Sequence, residues 1–154
     1  MDCVICEAPA RFKQDALFET PYWSAGLRSD EQSCLGRGVV RLNRHAGKIS
    51  ELTAAEWKDL RTTMRKYEDT VTRAFLPASF NWECLMNEAY TLSPPNPHVH
   101  WHVKPRYAHK VKIGDVVFED KEFGKRATGS FQPPRSVIDE IIKMLRVQME
   151  SVRV

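Results

Sequence analysis

The stretch HVHWHVKPR, His98 to Arg106, constrains this chain more than any other. Three of its five histidines fall there at alternate positions, with Val99, Trp101 and Val103 between and after them. Side chains of a strand alternate between its two faces, so a strand sends His98, His100 and His102 to one side and the apolar residues to the other. A helix would scatter the same six residues around its axis. The expectation is a strand with an apolar back and a row of imidazoles about 7 Å apart on its front. Imidazoles so placed can bind a metal, or supply a nucleophile or general base whose neighbours fix its tautomer. A neutral imidazole can attack phosphorus to form a phosphoramidate, while its neighbours stabilise the oxygens as charge moves. The bland alternative is a set of structurally hydrogen-bonded histidines, and the tight localisation of the pattern weighs against it.

The remaining segments read as a mixed fold. ALFETPYWSAGLRS holds one or two short strands, and GVVRLN is another, with Val39, Val40 and Leu42 as buried positions. Thr53 and Glu56 have capping-box spacing, with Ser50 as a competing start. Trp57, Leu60, Met64, Tyr67, Val71 and Phe75 follow at intervals of three or four and make one apolar helix face, which Pro77 ends. FNWECLMNEAY reads as a strand, and TLSPPNP as a loop because its prolines remove donors. KVKIGDVVFEDKEFGKRATGSFQ reads as loop with a short hairpin, and SVIDEIIKMLRVQME as a second helix capped by Ser136. This order predicts an α+β fold: an antiparallel sheet with a long central helix and a C-terminal helix, in a single domain over residues 1–154.

A formal net charge of +3 suits an anionic substrate without demanding one. No basic tail or low-complexity tract suggests nucleic acid as a partner. No apolar run reaches membrane-spanning length, and the opening MDCVICEAPARFK has no secretory pattern, so a cytoplasmic setting with reduced cysteines is expected. In that setting Cys3 and Cys6 have the spacing of two zinc thiolates and need two further ligands. Cys84 reads as a core residue and Cys34 as a free thiol in a polar turn. Arg41, Arg44 and Arg106 read as surface cations with a possible part in neutralising phosphate. Tyr22 and Trp23 are candidates to wall a nucleobase pocket. No phosphate-binding loop or dinucleotide fingerprint is present.

HVHWHV resembles the signature of the histidine triad family, with Lys104 in its last apolar place. VVRLNRH, ending at His45, is similar to the family's strand that ends in a histidine. ISELTAAEW resembles the start of its main helix, and Asn87 lies thirteen residues before His100, as the family's ribose-contacting asparagine does. The likeness runs from about Cys3 to Tyr107, and residues 108–154 are taken as a family-variable C-terminal extension.

The resemblance implies a nucleotide hydrolase acting at an α-phosphorus. His100 would be the nucleophile, forming a covalent nucleotidyl-histidine that water then cleaves. His102 would contact phosphate and help protonate the leaving group. Asn87 would contact ribose or phosphate, with Ser93 and Lys104 as further substrate contacts. The substrate would be a dinucleoside polyphosphate or a nucleoside phosphoramidate of adenosine or guanosine. A zinc-containing branch implies a structural Zn²⁺ held by Cys3, Cys6, His45 and His98, with no organic cofactor. A homodimer is the usual assembly, through the main helix and a neighbouring strand. Two departures stand out. Ser93, Pro94 and Pro95 replace the family's Gly-Gln-Ser or Gly-Gln-Thr, removing a hydroxyl on the leaving-group side, and Lys104 replaces an apolar residue. The alternatives are a nucleotidyltransferase or dinucleoside polyphosphate phosphorylase sharing the intermediate, and a zinc-stabilised nucleotide-binding protein without significant catalysis. The uridylyltransferase branch carries glutamine at the position of His102, which weighs against transfer.

Overall fold

The computed structural model describes residues 3–7 and 10–151. Five strands pair antiparallel in one sheet: β1 (Ala16–Glu19), β2 (Trp23–Leu27), β3 (Gly38–Leu42), β4 (Ser79–Glu83) and β5 (His100–Arg106), in the order β1-β2-β3-β5-β4. The alternation expected for β5 holds. Val99 and Val103 are fully buried on the back, together with Ala25, Leu27, Val40 and Leu42 from the neighbouring strands. Two helices cover that back face, α2 (Ala54–Phe75) and α3 (Arg135–Ser151). A short helix, α1 (Ala10–Gln14), and a separate hairpin, β6 (Val111–Ile113) with β7 (Val116–Phe118), complete the α+β architecture.

Helix α2 starts where its sequence directs. The Thr53 hydroxyl accepts from the Glu56 amide and the Glu56 carboxylate accepts from the Thr53 amide, a reciprocal capping box. It ends at Leu76, in the left-handed region at φ 56°, just before Pro77. Trp23 anchors the sheet to this helix: its ring is fully buried and Nε1 donates to the Glu56 carbonyl at 2.9 Å. Tyr67 reaches across to donate to the Gly36 carbonyl, and a Cβ at Gly38 would collide with its hydroxyl, so a glycine is required there.

Several local expectations change. Strand β4 stops at Glu83, and Asn87–Thr91 turn as a 3₁₀ helix instead of extending to Tyr90. Register explains the stop. Glu83 pairs with His102, and β5 begins only two residues before that histidine, so its edge partner runs out of ladder. Ahead of β1, Ala10–Gln14 form the short helix α1. Helix α3 begins at Arg135, with the Pro134 carbonyl accepting from the Val137 and Ile138 amides, so Ser136 lies inside its first turn instead of capping it. Cys34 is buried, not exposed in a polar turn.

Glu56 joins helix start, sheet and cation. The adjacent Arg44 guanidinium, with Nε at 2.5 Å, holds its carboxyl down at about 2 from an ordinary 4.5, against the opposing effect of burial. A carboxylate depressed on folding contributes stability that is complete above about pH 4.5 and is lost as pH falls toward about 2. Glu56→Ala is expected to lower unfolding free energy by about 1–3 kcal/mol and to flatten that acid limb, as measured by urea melts across pH.

Candidate functional site

The front face of the sheet carries the chemistry. In the β3·β5 register Arg41 lies opposite His100 and Val39 opposite His102, so these four share a face, and β4 adds Glu83 opposite His102. The segment between β4 and β5, together with Cys3, Val4, Ile5 and Phe12, walls in a cavity of about 600 Å³. His98, His100, His102, Asn87 and Lys104 all line it. A concave site with a few convergent polar groups among apolar walls is the usual form of a small-molecule site.

The three histidines have different environments. The Nε2 of His98 lies 2.8 Å from the Leu42 carbonyl. A carbonyl only accepts, so Nε2 carries the proton and Nδ1 keeps its lone pair. That Nδ1 faces Cys3 Sγ at 3.4 Å and Cys6 Sγ at 3.3 Å, while Cys6 Sγ lies 3.6 Å from His45 Nδ1. The ligand atoms of Cys3, Cys6, His45 and His98 all fall within 4.8 Å of one another. Around a tetrahedral ion with metal–sulfur bonds of about 2.3 Å and metal–nitrogen bonds of about 2.0–2.1 Å, sulfur and nitrogen ligands sit about 3.6 Å apart. The four side chains therefore suit a closed tetrahedral metal centre, in donor type as well as spacing. Burial lowers the His98 pKa, which favours the neutral ring a metal needs.

His100 is oriented by the backbone of its own strand. Its Nδ1 donates to the His98 carbonyl at 2.8 Å, which leaves Nε2 unprotonated in the neutral ring. Burial depresses its pKa, with the charge of Arg28 adding to the effect. His102 stacks edge-on against His100, with ring centroids 4.9 Å apart. Burial, followed by the charges of His100, Arg28, Arg37 and Lys104, holds His102 at about 4. Its Nδ1 is buried without a hydrogen-bond partner, a state that favours a ligand's arrival.

Other expected residues fall in different places. Asn87 is exposed at the cavity wall. Ser93 is exposed and does not line the cavity. Lys104, in the place where the triad pattern has an apolar residue, is buried, with Nζ 2.8 Å from Glu83 Oε2. Trp23 lies in the core behind the sheet and does not line this cavity. Arg44 is taken up by Glu56, and Arg106 by Asp120, at 2.7 and 3.0 Å. Arg41 is no surface cation: it lines the cavity, donates to the Ile5 carbonyl at 2.7 Å and stacks on Phe12 at 4.2 Å. Arg28 and Arg37 also line the cavity. The sequence reading missed both, although their alternation with Leu27 and Gly38 continues the strand pattern outward.

No family model matches the sequence, and no curated protein matches it. Solved structures do. A hypothetical histidine triad nucleotide-binding protein from Sulfolobus tokodaii superposes with a TM-score of 0.69 at 15% identity, over 97% of this chain and 93% of that one. The chain has the histidine triad fold. A zinc-bound histidine triad family protein from Mycobacterium smegmatis gives 0.63 at 16% identity, covering 97% and 94% of the two chains. A Plasmodium falciparum diadenosine triphosphate hydrolase gives 0.56 at 14% identity, covering 91% and 77%.

Metal binding at the Cys3–Cys6–His45–His98 cluster would tie the N-terminal segment to β3 and β5. Adding Zn²⁺ to metal-free protein is expected to raise the melting temperature, and Cys6→Ser is expected to lose most of that rise in a thermal melt.

Proposed function

We propose that this protein is a nucleotide hydrolase that attacks an α-phosphorus through His100. One observation carries the reading: the His98 carbonyl fixes the His100 ring with its Nε2 lone pair free, in a cavity flanked by cationic side chains. A phosphorus centre held there meets a neutral nucleophile at no cost in reorienting it. Nε2 forms a bond to phosphorus as the bond to the leaving group breaks, and the departing group takes up a proton. Water then attacks the same phosphorus, the P–N bond breaks, and His100 returns to its neutral form as nucleoside monophosphate leaves. The substrate is a dinucleoside polyphosphate or a nucleoside phosphoramidate of adenosine or guanosine.

His102 stands one step along the strand toward the leaving group. Held at about 4, it is neutral in the free protein, with one ring N–H to offer a substrate. An anionic substrate opposes its cationic neighbours and raises its proton affinity, so it becomes a better proton donor once the site is filled. Asn87 contacts the ribose or phosphate from the cavity wall, and Lys104 stands beyond His102. Ser93 has no comparable placement. Zinc is the metal that best fits two thiolates and two imidazoles in a closed tetrahedron. When bound it supplies folding energy, and His98 is thereby reserved from catalysis. Replacing water by inorganic phosphate would make the same intermediate yield a nucleoside diphosphate.

The functional unit is a homodimer. Strand β4 is a sheet edge with only β5 beside it. On the helix side of β5, Trp57 is 43% exposed and packs edge-on against Trp101, whose Nε1 is buried without a partner among the described residues. An open edge beside aromatic surface and an orphan donor fits a second copy. Light scattering is expected to give the mass of two chains, and Trp57→Glu is expected to give one.

The central test follows products chromatographically from diadenosine polyphosphates and adenosine phosphoramidate, with and without inorganic phosphate. His100→Ala is expected to lower turnover by at least about 1000-fold while the fold and metal content persist. Unchanged turnover in that variant would falsify the mechanism. Because burial places His100 below its ordinary 6.5, kcat/KM is expected to be flat around neutral pH and to fall only in more acidic solution, as the nucleophile becomes protonated.

A further inference from the structure

Beyond His102 the front face carries a row of cations. The β2·β3 register sets Gly26 against Val39 and Leu27 against Gly38, and one step further the Arg28 amide donates to the Arg37 carbonyl at 2.9 Å. The β3·β5 register sets Gly38 against Val103, so the same step places Arg37 level with Lys104. Arg28, Arg37 and Lys104 thus stand side by side across three strands, on the face of the histidines and about 7 Å past His102. All three line the cavity. Like charges directly opposite one another across strands are destabilising, and an anion between them removes that cost.

The row is built rigidly. Gln32, fully buried, donates through Nε2 to both the Arg28 and the Arg37 carbonyls at 2.8 Å, and its Oε1 accepts from the Gly36 amide at 2.8 Å. One amide therefore clamps the two arginine backbones together. Each cation leans on one carboxylate: Arg28 on Asp30 at 3.0 Å, Arg37 on Glu31, and Lys104 on Glu83 at 2.8 Å. These pairs aim the side chains without exhausting their donors, since Arg37 Nε is buried with no partner. Guanidinium groups match phosphate oxygens in geometry.

We propose that Arg28, Arg37 and Lys104 form a leaving-group subsite that selects a leaving group bearing its own phosphates. This rests on the hydrolase reading above and names which of its two substrate classes the site takes: a dinucleoside polyphosphate over an amine. The subsite lies on the leaving-group side of His102, opposite the metal. Its placement also accounts for Ser93, Pro94 and Pro95, which carry no phosphate-side hydroxyl into the cavity: recognition has moved to the β2–β3 connection. A phosphate leaving group departs as a stabilised anion and needs less help from a proton than an amine does. That agrees with a His102 kept neutral by burial, with the charges of this row adding to the effect.

The test compares kcat/KM for diadenosine tetraphosphate, ADP-glucose and adenosine phosphoramidate in the wild type, Arg28→Gln and Arg37→Gln. Inorganic tripolyphosphate binding is measured by calorimetry in all three. The wild type is expected to favour the tetraphosphate, with ADP-glucose, whose leaving group carries one phosphate, in between. Each variant is expected to lower the tetraphosphate-to-phosphoramidate ratio by about tenfold or more and to weaken tripolyphosphate binding by a similar factor. Arg28 is one-third exposed, so Arg28→Gln is the variant expected to fold if Arg37→Gln does not, and a thermal melt checks both. An unchanged ratio, or tripolyphosphate binding that the folded Arg28→Gln protein retains in full, overturns the subsite. If the wild type yields no His100-dependent product from any substrate, the hydrolase reading fails, while the tripolyphosphate measurement still decides the cation row.

Discussion

The site depends on His98, a residue that makes three connections at once. Its Nε2 proton binds the Leu42 carbonyl and fastens the start of β5 to the end of β3. That bond turns Nδ1 toward Cys3 and Cys6, so the N-terminal segment closes one wall of the cavity. Its carbonyl accepts the proton of His100 and thereby selects which nitrogen of that ring is free. Each bond removes an alternative: a slipped strand, an open knuckle, the wrong tautomer. Burial lowers the His98 pKa, which favours the neutral ring whose Nδ1 lone pair faces the two cysteines. A polar residue at this position could satisfy one or two of these demands, but only an imidazole has a donor and an opposing lone pair in one rigid ring.

The period-two pattern made the strand, its two faces and the nearness of the histidines legible without a structure. The capping box did the same for the start of α2, because its signal is local: four residues contain both hydrogen bonds. The cysteine spacing suggested a metal pair, and the likeness to known triad proteins suggested the two partners. What stayed hidden was set by pairing between distant strands. Arg41 and Arg44 stand three residues apart in one segment, yet Arg41 faces the cavity and Arg44 binds Glu56 on the helix. Only register tells them apart. Lys104 stands where the triad pattern has an apolar residue, and the carboxylate that holds it, Glu83, comes from a strand whose end was misplaced. Ser136 and Pro134 illustrate a smaller ambiguity, in which a carbonyl fills the place that a hydroxyl seemed to claim.

The front of β5 can be read as a sequence of zones with a fixed spacing. In the proposed reading His98 belongs to the metal cluster, His100 to attack, His102 to departure and Lys104 to the cation row, at intervals of about 7 Å. Neighbouring strands widen each zone: Arg41 stands beside His100, Val39 beside His102, and Arg37 with Arg28 beside Lys104. A linear substrate laid along the strand would meet these zones in order. The sheet thus supplies a ruler that no single loop could hold as firmly, because every zone is tied laterally by ladder hydrogen bonds.

That order also makes the electrostatics directional. Burial lowers the proton affinity of both histidines most, and the charges of Arg28, Arg37 and Lys104 add to it at His102, where at His100 only Arg28 does. An empty site therefore holds two neutral imidazoles beside a repulsive cationic row, a state that costs stability and is relieved by an anion. Stability given up in the free protein returns as binding energy at the zone where a leaving group would sit. The carboxylates Asp30, Glu31 and Glu83 limit that cost by holding one cation each, which lets the row persist in the folded chain without a ligand. The Cys3–Cys6–His45–His98 cluster and the cation row lie at opposite ends of the same strand, so each end is braced independently while His100 and His102 between them line the cavity.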